Sequence, residues 1–224
     1  MLEGPAEAAR YALTRRLLPV LRHHMVVHLQ PIGMIYEVLE RRLAMVNPDL
    51  KAVREGLAKI NTLARSAVVS CLDVVTWLAP DVNTSIGVGE GVAECVSTVN
   101  SDFRFRGFTV TNECGDAPLR VSQAALREVF TAALIAVTDN ADDPVDLLLQ
   151  LRLAGDQAVI SVETRHGEAT GFTNDLGYRA LIWSDVVALA QLHQVVLQRD
   201  GNVAVLKFIA SPSSAVCGVA SAVS

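Results

Sequence analysis

Three of the chain's five histidines lie in Arg22-His23-His24-Met25-Val26-Val27-His28. A neutral imidazole is a nucleophile near pH 7, so what each ring can do depends on where it points. At ~100° per residue, His23 lies roughly 175° from the centre of the apolar stripe through this segment, His24 about 75° and His28 about 35°. His23 is therefore expected in solvent, where it can meet an electrophile on another molecule. His28 reads as a core or interface histidine with its nitrogens satisfied. Met25, Val26 and Val27 make the surroundings of His23 apolar, and an exposed apolar patch marks a protein interface. Arg22, His24, Met25, Val26 and Val27 are thus the expected partner-binding residues around a catalytic His23; burial of that patch by the rest of the chain is the alternative.

Other candidate chemistry is weaker. Gly87, Gly89 and Gly91 form a GxGxG string, but no strand precedes it, as a dinucleotide-binding turn would require. Asp139-Asn140-Ala141-Asp142-Asp143 lacks the spacing and terminal Glu of a calcium loop and reads as a solvated helix-to-strand connection. His166 and Glu168 have no nucleophile or cofactor motif beside them and read as surface residues. Cys71, Cys95, Cys114 and Cys217 make no CxxC pair and no Cys/His cluster at zinc spacing, so they read as small buried thiols. No cofactor and no metal is expected.

The elements that must position His23 follow from periodicity. From about Leu13 to Val46, Leu21, Met25, Leu29, Ile32, Ile35, Tyr36, Leu39 and Leu43 recur at helical spacing. Asn47-Pro48-Asp49 breaks that helix, and Pro31 removes one backbone bond inside it. A second helix carries Leu50, Val53, Leu57, Ile60, Ala64, Ala67, Cys71, Val74 and Leu78 at alternating three-and-four spacing, and Pro80 stops it. Two such helices cannot cover both stripes by pairing only with each other, so a homodimeric four-helix bundle is expected. Packing of the stripes on the C-terminal part of the same chain is the alternative.

The remainder reads as α+β. A helix is expected over Ser85–Asn100, a strand over Phe108–Asn112, a helix over Ser122–Val137 and strands over Val145–Leu153 and Gln157–Glu163. A loop over Thr164–Gly177, a helix over Tyr178–His193 and strands over Val195–Arg199 and Val203–Ala210 follow, the last two joined by Asp200-Gly201-Asn202. This order implies a mixed sheet with helices on one face. Three parts are expected: a hairpin over 1–82, an α/β domain over 83–212 and a flexible tail over 213–224.

Composition excludes several functions. The 224 residues are 51% hydrophobic and 19% charged, ample material for a core. A formal charge of −5 and a pI near 5.5 give no broad basic surface for nucleic acid. Mean hydropathy is +0.34, yet no apolar run approaches the roughly 20 residues that cross a bilayer. The N-terminus has acids and a Pro where a secretory signal has basic residues and an apolar run, so a cytoplasmic protein without membrane contact is expected.

With these residues in view, Arg22 to Ile32 resembles the phosphoacceptor motif of bacterial histidine kinases, with His23 on the reactive histidine. Tyr36-Glu37-Val38-Leu39 fits the same helix, and Ala58 to Arg65 is similar to the second helix of their dimerisation and histidine-phosphotransfer domain. Ile86 to Asn112, Leu126-Arg127-Glu128-Val129-Phe130 and Val145 to Glu163 resemble their Bergerat-like ATP-binding domain. The departures matter equally. Ala132 and Ala136 stand where asparagines would face magnesium and phosphates, and a methyl cannot ligate a hard cation. Glu163 to Ala169 keeps only Gly167 of the adenine-binding segment, and the glycine-rich lid is reduced to Gly171 and Gly177. His24 replaces a common acidic residue and Val27 a polar one, which implies loss of kinase and phosphatase chemistry. The combination resembles the dimeric histidine phosphotransferases of phosphorelays. It implies a phosphoryl group moving between receiver-domain aspartates and His23 without ATP, with sensing and output in other proteins. A non-catalytic scaffold and a divergent ATP-dependent kinase are the alternatives.

Overall fold

The computed structural model describes residues 3–81, 83–167 and 179–211. Helix α1 (Glu3–Leu43) is continuous through Pro19 and Pro31, and begins about ten residues before the expected start. The chain reverses where Asn47-Pro48-Asp49 requires it. Asp49 caps α2 (Leu50–Leu78) by accepting from the amides of Lys51 and Ala52, which satisfies two of the free N–H groups of a helix start. The two helices approach closely at Gly56, where a Cβ would lie 2.5 Å from Leu39 Cδ2.

The expected helix over Ser85–Asn100 is displaced: Ser85–Gly87 is strand β1, and α3 runs Val88–Phe105. β1 pairs antiparallel with β3 (Arg120–Ser122), a two-stranded ribbon too short to show a period in the sequence. The five-stranded sheet has the order β2-β4-β5-β7-β6, made of β2 (Thr109–Asn112), β4 (Val145–Ala154), β5 (Gln157–His166), β7 (Val203–Ile209) and β6 (Val196–Asp200). β2 and β4 are parallel and the other pairs antiparallel, so the sheet is mixed, as expected. Leu147, Leu149, Ile160, Val162, Leu206 and Phe208 turn one face into the core. Against it lie α3, the helical run Gln123–Asp139 and α6 (Trp183–Leu192).

Two of the three GxGxG glycines turn out to serve packing. A Cβ at Gly89 would sit 2.6 Å from the Gly115 carbonyl oxygen, and one at Gly91 2.4 Å from Leu126 Cδ2. Backbone at Gly115 cannot rotate away as a side chain can. Gly89→Ala is therefore expected to cost ~1–3 kcal/mol by overpacking, measured as a lowered midpoint in urea unfolding. Gly167 has the same character, its missing Cβ facing the Pro144 carbonyl at 2.6 Å.

The N-terminal part of α1 belongs to this core as well. Ala9, Leu13, Leu17 and Leu21 are buried in one cluster with Val92, Val99, Val129 and Leu189. Beyond Leu21 the helix leaves the α/β part and runs beside α2. The alternative weighed for the apolar stripes is thus met for the first half of α1, which packs on the C-terminal part; in the second half Leu39 is buried beside α2, and Leu29, Tyr36 and Leu43 are exposed. No helix among the described residues is long and apolar enough to cross a membrane.

Candidate functional site

His23 sits where α1 emerges from the α/β core, two residues after buried Leu21, and its ring is exposed. The helix wheel thus placed His23 correctly. Of the expected neighbours, Arg22, Val26 and Val27 are exposed, whereas His24 and Met25 are half-buried and Met25 packs against the core. The reason is angular: at ~100° per residue His24, Met25 and His28 fall on the side of the helix that carries buried Leu21, and Arg22, Val26 and Val27 fall on the open side. His28 is also half-buried.

A set of buried charges fixes the segment that carries His23. The helical run after β3 consists of α4 (Gln123–Ala125), a π-helical turn (Leu126–Phe130) and α5 (Thr131–Asp139). Its extra residue per turn brings two adjacent charged side chains, Arg127 and Glu128, into the interior, each less than a tenth exposed. Glu128 accepts two hydrogen bonds from Arg10 of α1 at 2.9 and 3.0 Å and contacts His193 Nε2 at 2.8 Å. Burial alone would push its carboxyl up, but His193 and Arg10 outweigh burial and hold it below the usual glutamate value. Arg127 donates to Glu94 of α3 and to Thr76 and Asp73 of α2, and its guanidinium stacks 4.8 Å from the Trp77 ring centroid. The π turn therefore grips both hairpin helices.

A second buried group works beside it. Asp139 accepts from Arg106 at 2.9 Å and from the Leu181 amide, and lies 3.7 Å from Arg16, which also donates to Asp102. Asn140 bridges the carbonyls of Ala136 and Leu181. The expectation of a solvated Asp139-Asn140 connection is thus corrected at Asp139, which is buried; Asn140, Asp142 and Asp143 are exposed as expected. Two adjacent charges inside an apolar helix were the missed signal, because a buried charge must find a partner.

The positions expected to have lost nucleotide ligands are filled with hydrocarbon. Ala132 and Ala136 are 0% and 2% exposed and belong to the hydrophobic cluster. Gly171, Gly177, Glu168 and the tail from Pro212 lie outside the described residues. Cys95 is buried, which pushes its thiol up to about 12, and burial raises Cys114 to about 11, so neither is a ready thiolate. Cys71 is half-buried and Cys217 lies outside the described residues. Among the described residues no group of His, Cys, Asp and Glu is arranged to hold a metal ion.

No family model and no curated protein matches the sequence. Solved structures do resemble the fold. They include histidine kinases and a phosphotransferase. A histidine kinase from Burkholderia phymatum is 14% identical, with a TM-score of 0.42 over 84% of this chain and 97% of that one. The Acinetobacter baumannii histidine kinase AdeS is 15% identical, with a TM-score of 0.40 over 81% and 96%. A bacterial phosphotransferase is 14% identical, with a TM-score of 0.38 over 88% and 95%. Likenesses of this size do not carry a function, which is argued next from the chain's own residues.

Proposed function

We propose that this chain is a histidine phosphotransfer protein of a two-component phosphorelay, moving a phosphoryl group between receiver-domain aspartates and His23 without using ATP. The observation that carries the reading is the pairing of an exposed His23 on a helical hairpin with core methyls at Ala132 and Ala136. The chain thus has an accessible nucleophile, and at positions 132 and 136 it offers no oxygen to magnesium or a nucleotide. In the reaction, the imidazole nitrogen attacks phosphorus in line, the P–O bond to the receiver aspartate breaks, and the carboxylate departs as the P–N bond forms. The imidazolium so formed sheds its remaining N–H proton to solvent. The reverse sequence returns the group to a second receiver.

The reading includes a homodimer. Past His23, α1 exposes Leu29, Tyr36 and Leu43 at heptad spacing, and α2 exposes Leu57, Val68, Leu72 and Val75. A second hairpin laid on these faces would complete a four-helix bundle and remove them from water. Leu72→Glu, which puts a charge into that seam, is expected to shift the protein from dimer to monomer in sedimentation equilibrium while leaving its helix content unchanged.

The direct test incubates the protein with receiver domains phosphorylated by labelled acetyl phosphate, beside a control with labelled Mg-ATP alone. Label should pass from receiver to protein as an acid-labile, base-stable phosphoramidate, and none should come from ATP. Labelling by ATP at His23 would make the chain a kinase. Absence of labelling from every receiver would leave the non-catalytic scaffold.

A further inference from the structure

Residues 8–36 of α1 contain four arginines and no Asp or Glu, in a chain whose formal charge is −5. Arg10 is held by Glu128 and Arg16 by Asp102. Arg15 and Arg22 are exposed, and neither has a carboxylate partner among the described residues. Two shallow cavities run end to end past them. The first, about 610 Å³, lies between α1 and the start of α6, with Ala8 facing Ala188; the second, about 410 Å³, continues over Leu18 to Arg22. Tyr11 and Arg15 line both, and Tyr11 and Leu18 are 66% and 50% exposed. Asp185 at the edge is held on both oxygens by Arg179, so Arg15 and Arg22 set the charge of the groove.

The second cavity ends at Arg22, beside His23 in the chain. Eighteen residues make five turns at ~3.6 residues per turn, so Pro5 and His23 lie on one line of the helix, as do Ala8 and Val26. A protein lying in the groove would have its far end at His23.

We propose that this groove between α1 and α6 is the docking surface for the receiver domain that exchanges its phosphoryl group with His23, an inference that rests on the phosphotransfer reading. Its walls suit an amphipathic helix whose apolar side covers Tyr11 and Leu18 and whose acidic flank meets Arg15 and Arg22. Charge selects this occupant: an aspartyl phosphate and the carboxylates beside it are anionic, and unpaired arginines attract such a face and steer its approach. A second copy of the chain fits less well. An isologous contact would set the arginines of one copy against those of the other, and the broad apolar faces of the hairpin lie beyond His23.

The test measures binding and transfer separately, on the full chain, with a panel of purified receiver domains from the same organism. Arg15→Glu and Leu18→Asp are compared with wild type and with Arg54→Glu, an exposed charge on α2; circular dichroism checks that each folds. The receiver that wild type binds should bind at least tenfold more weakly to both groove variants and with wild-type affinity to Arg54→Glu. Its affinity for wild type should fall with added salt, and transfer to the variants should recover when receiver is raised tenfold. Unchanged affinity in both variants with continued transfer would overturn the groove and leave the relay standing. Weakened binding without any transfer to wild type would uphold the groove and remove the relay. Variants that turn monomeric in sedimentation would make the groove a self-interface and overturn the proposal, and no binding by any receiver would overturn both.

Discussion

A His23→Gln protein is expected to fold like the wild type and to accept no phosphoryl group above background from a phosphorylated receiver. The two halves of this expectation have different physical sources. His23 is exposed and is not among the residues that hold α1 to the core, so its replacement should change stability by no more than about 0.5 kcal/mol, as exposed surface substitutions usually do. Glutamine keeps a polar side chain that donates hydrogen bonds, but its amide nitrogen has no free lone pair and cannot form the P–N bond. No nearby group can take over the reaction on this face, because His24 and His28 are half-buried on the same helix. Single-turnover transfer from a labelled receiver, with the unfolding midpoint measured on the same preparation, checks both halves. Full transfer to His23→Gln would place the reactive residue elsewhere, and loss of the fold would assign His23 a structural role.

Glu128→Ala is expected to lower stability by about 2–4 kcal/mol, or roughly 5–15 °C in Tm. Removing one member of a buried ion pair strands the others, and here the carboxylate serves both Arg10 and His193. The cost falls below that of breaking a fully buried pair because the Arg10 side chain is 41% exposed and can turn back into water. His193, nearly enclosed at the end of α6, has no such escape. The pH dependence follows from the sign of the shift. Hydrogen bonds and charge from His193 and Arg10 hold the folded Glu128 pKa below its unfolded value, so its stabilisation is fully present above the ordinary glutamate pKa of about 4.3. It is lost as pH falls through the lowered folded value. The difference in urea midpoint between wild type and Glu128→Ala should therefore shrink as pH falls below about 4. A difference that stayed constant into acid would show that packing, and not charge, accounts for the loss.

The clamp also bears on the proposed phosphotransfer. Glu128 holds α1, Arg127 holds α2 and α3, and both come from one π turn of the α/β part. A domain that must swing to deliver a nucleotide phosphate to a histidine would be hindered by such contacts. A phosphotransfer protein needs the opposite, a fixed surface against which a partner can place its own phosphoryl group.

The sequence by itself determined whatever depends on local periodicity and on single-residue chemistry. The helical spacing from Leu21 to Leu43, the reversal at Asn47-Pro48-Asp49 and the alternation in β4, β5 and β7 each report which face of an element is apolar, and the elements formed accordingly. The same arithmetic put His23 in solvent, since a helix with one buried stripe leaves only its opposite face to water. The alanines at 132 and 136 were legible because a methyl offers no lone pair anywhere in a fold.

Contacts distant in sequence were decided only by the tertiary structure. Nothing local to Arg10 indicates Glu128, 118 residues away, or shows that His193 would share the same carboxylate. The π turn that points Arg127 and Glu128 inward leaves no mark on the apolar pattern around it, and β3 is too short to show a period. Asp139 looked like a loop residue because the composition around it is that of a loop; burial against Arg106, Arg16 and the Leu181 amide made it structural. The groove beside His23 is of the same kind, one wall being α1 and the other α6, more than 160 residues later in the chain. A sequence states what each residue can do, but which residues share a carboxylate or a groove depends on how the elements pack, and that is set by the sum of many weak contacts across the whole chain.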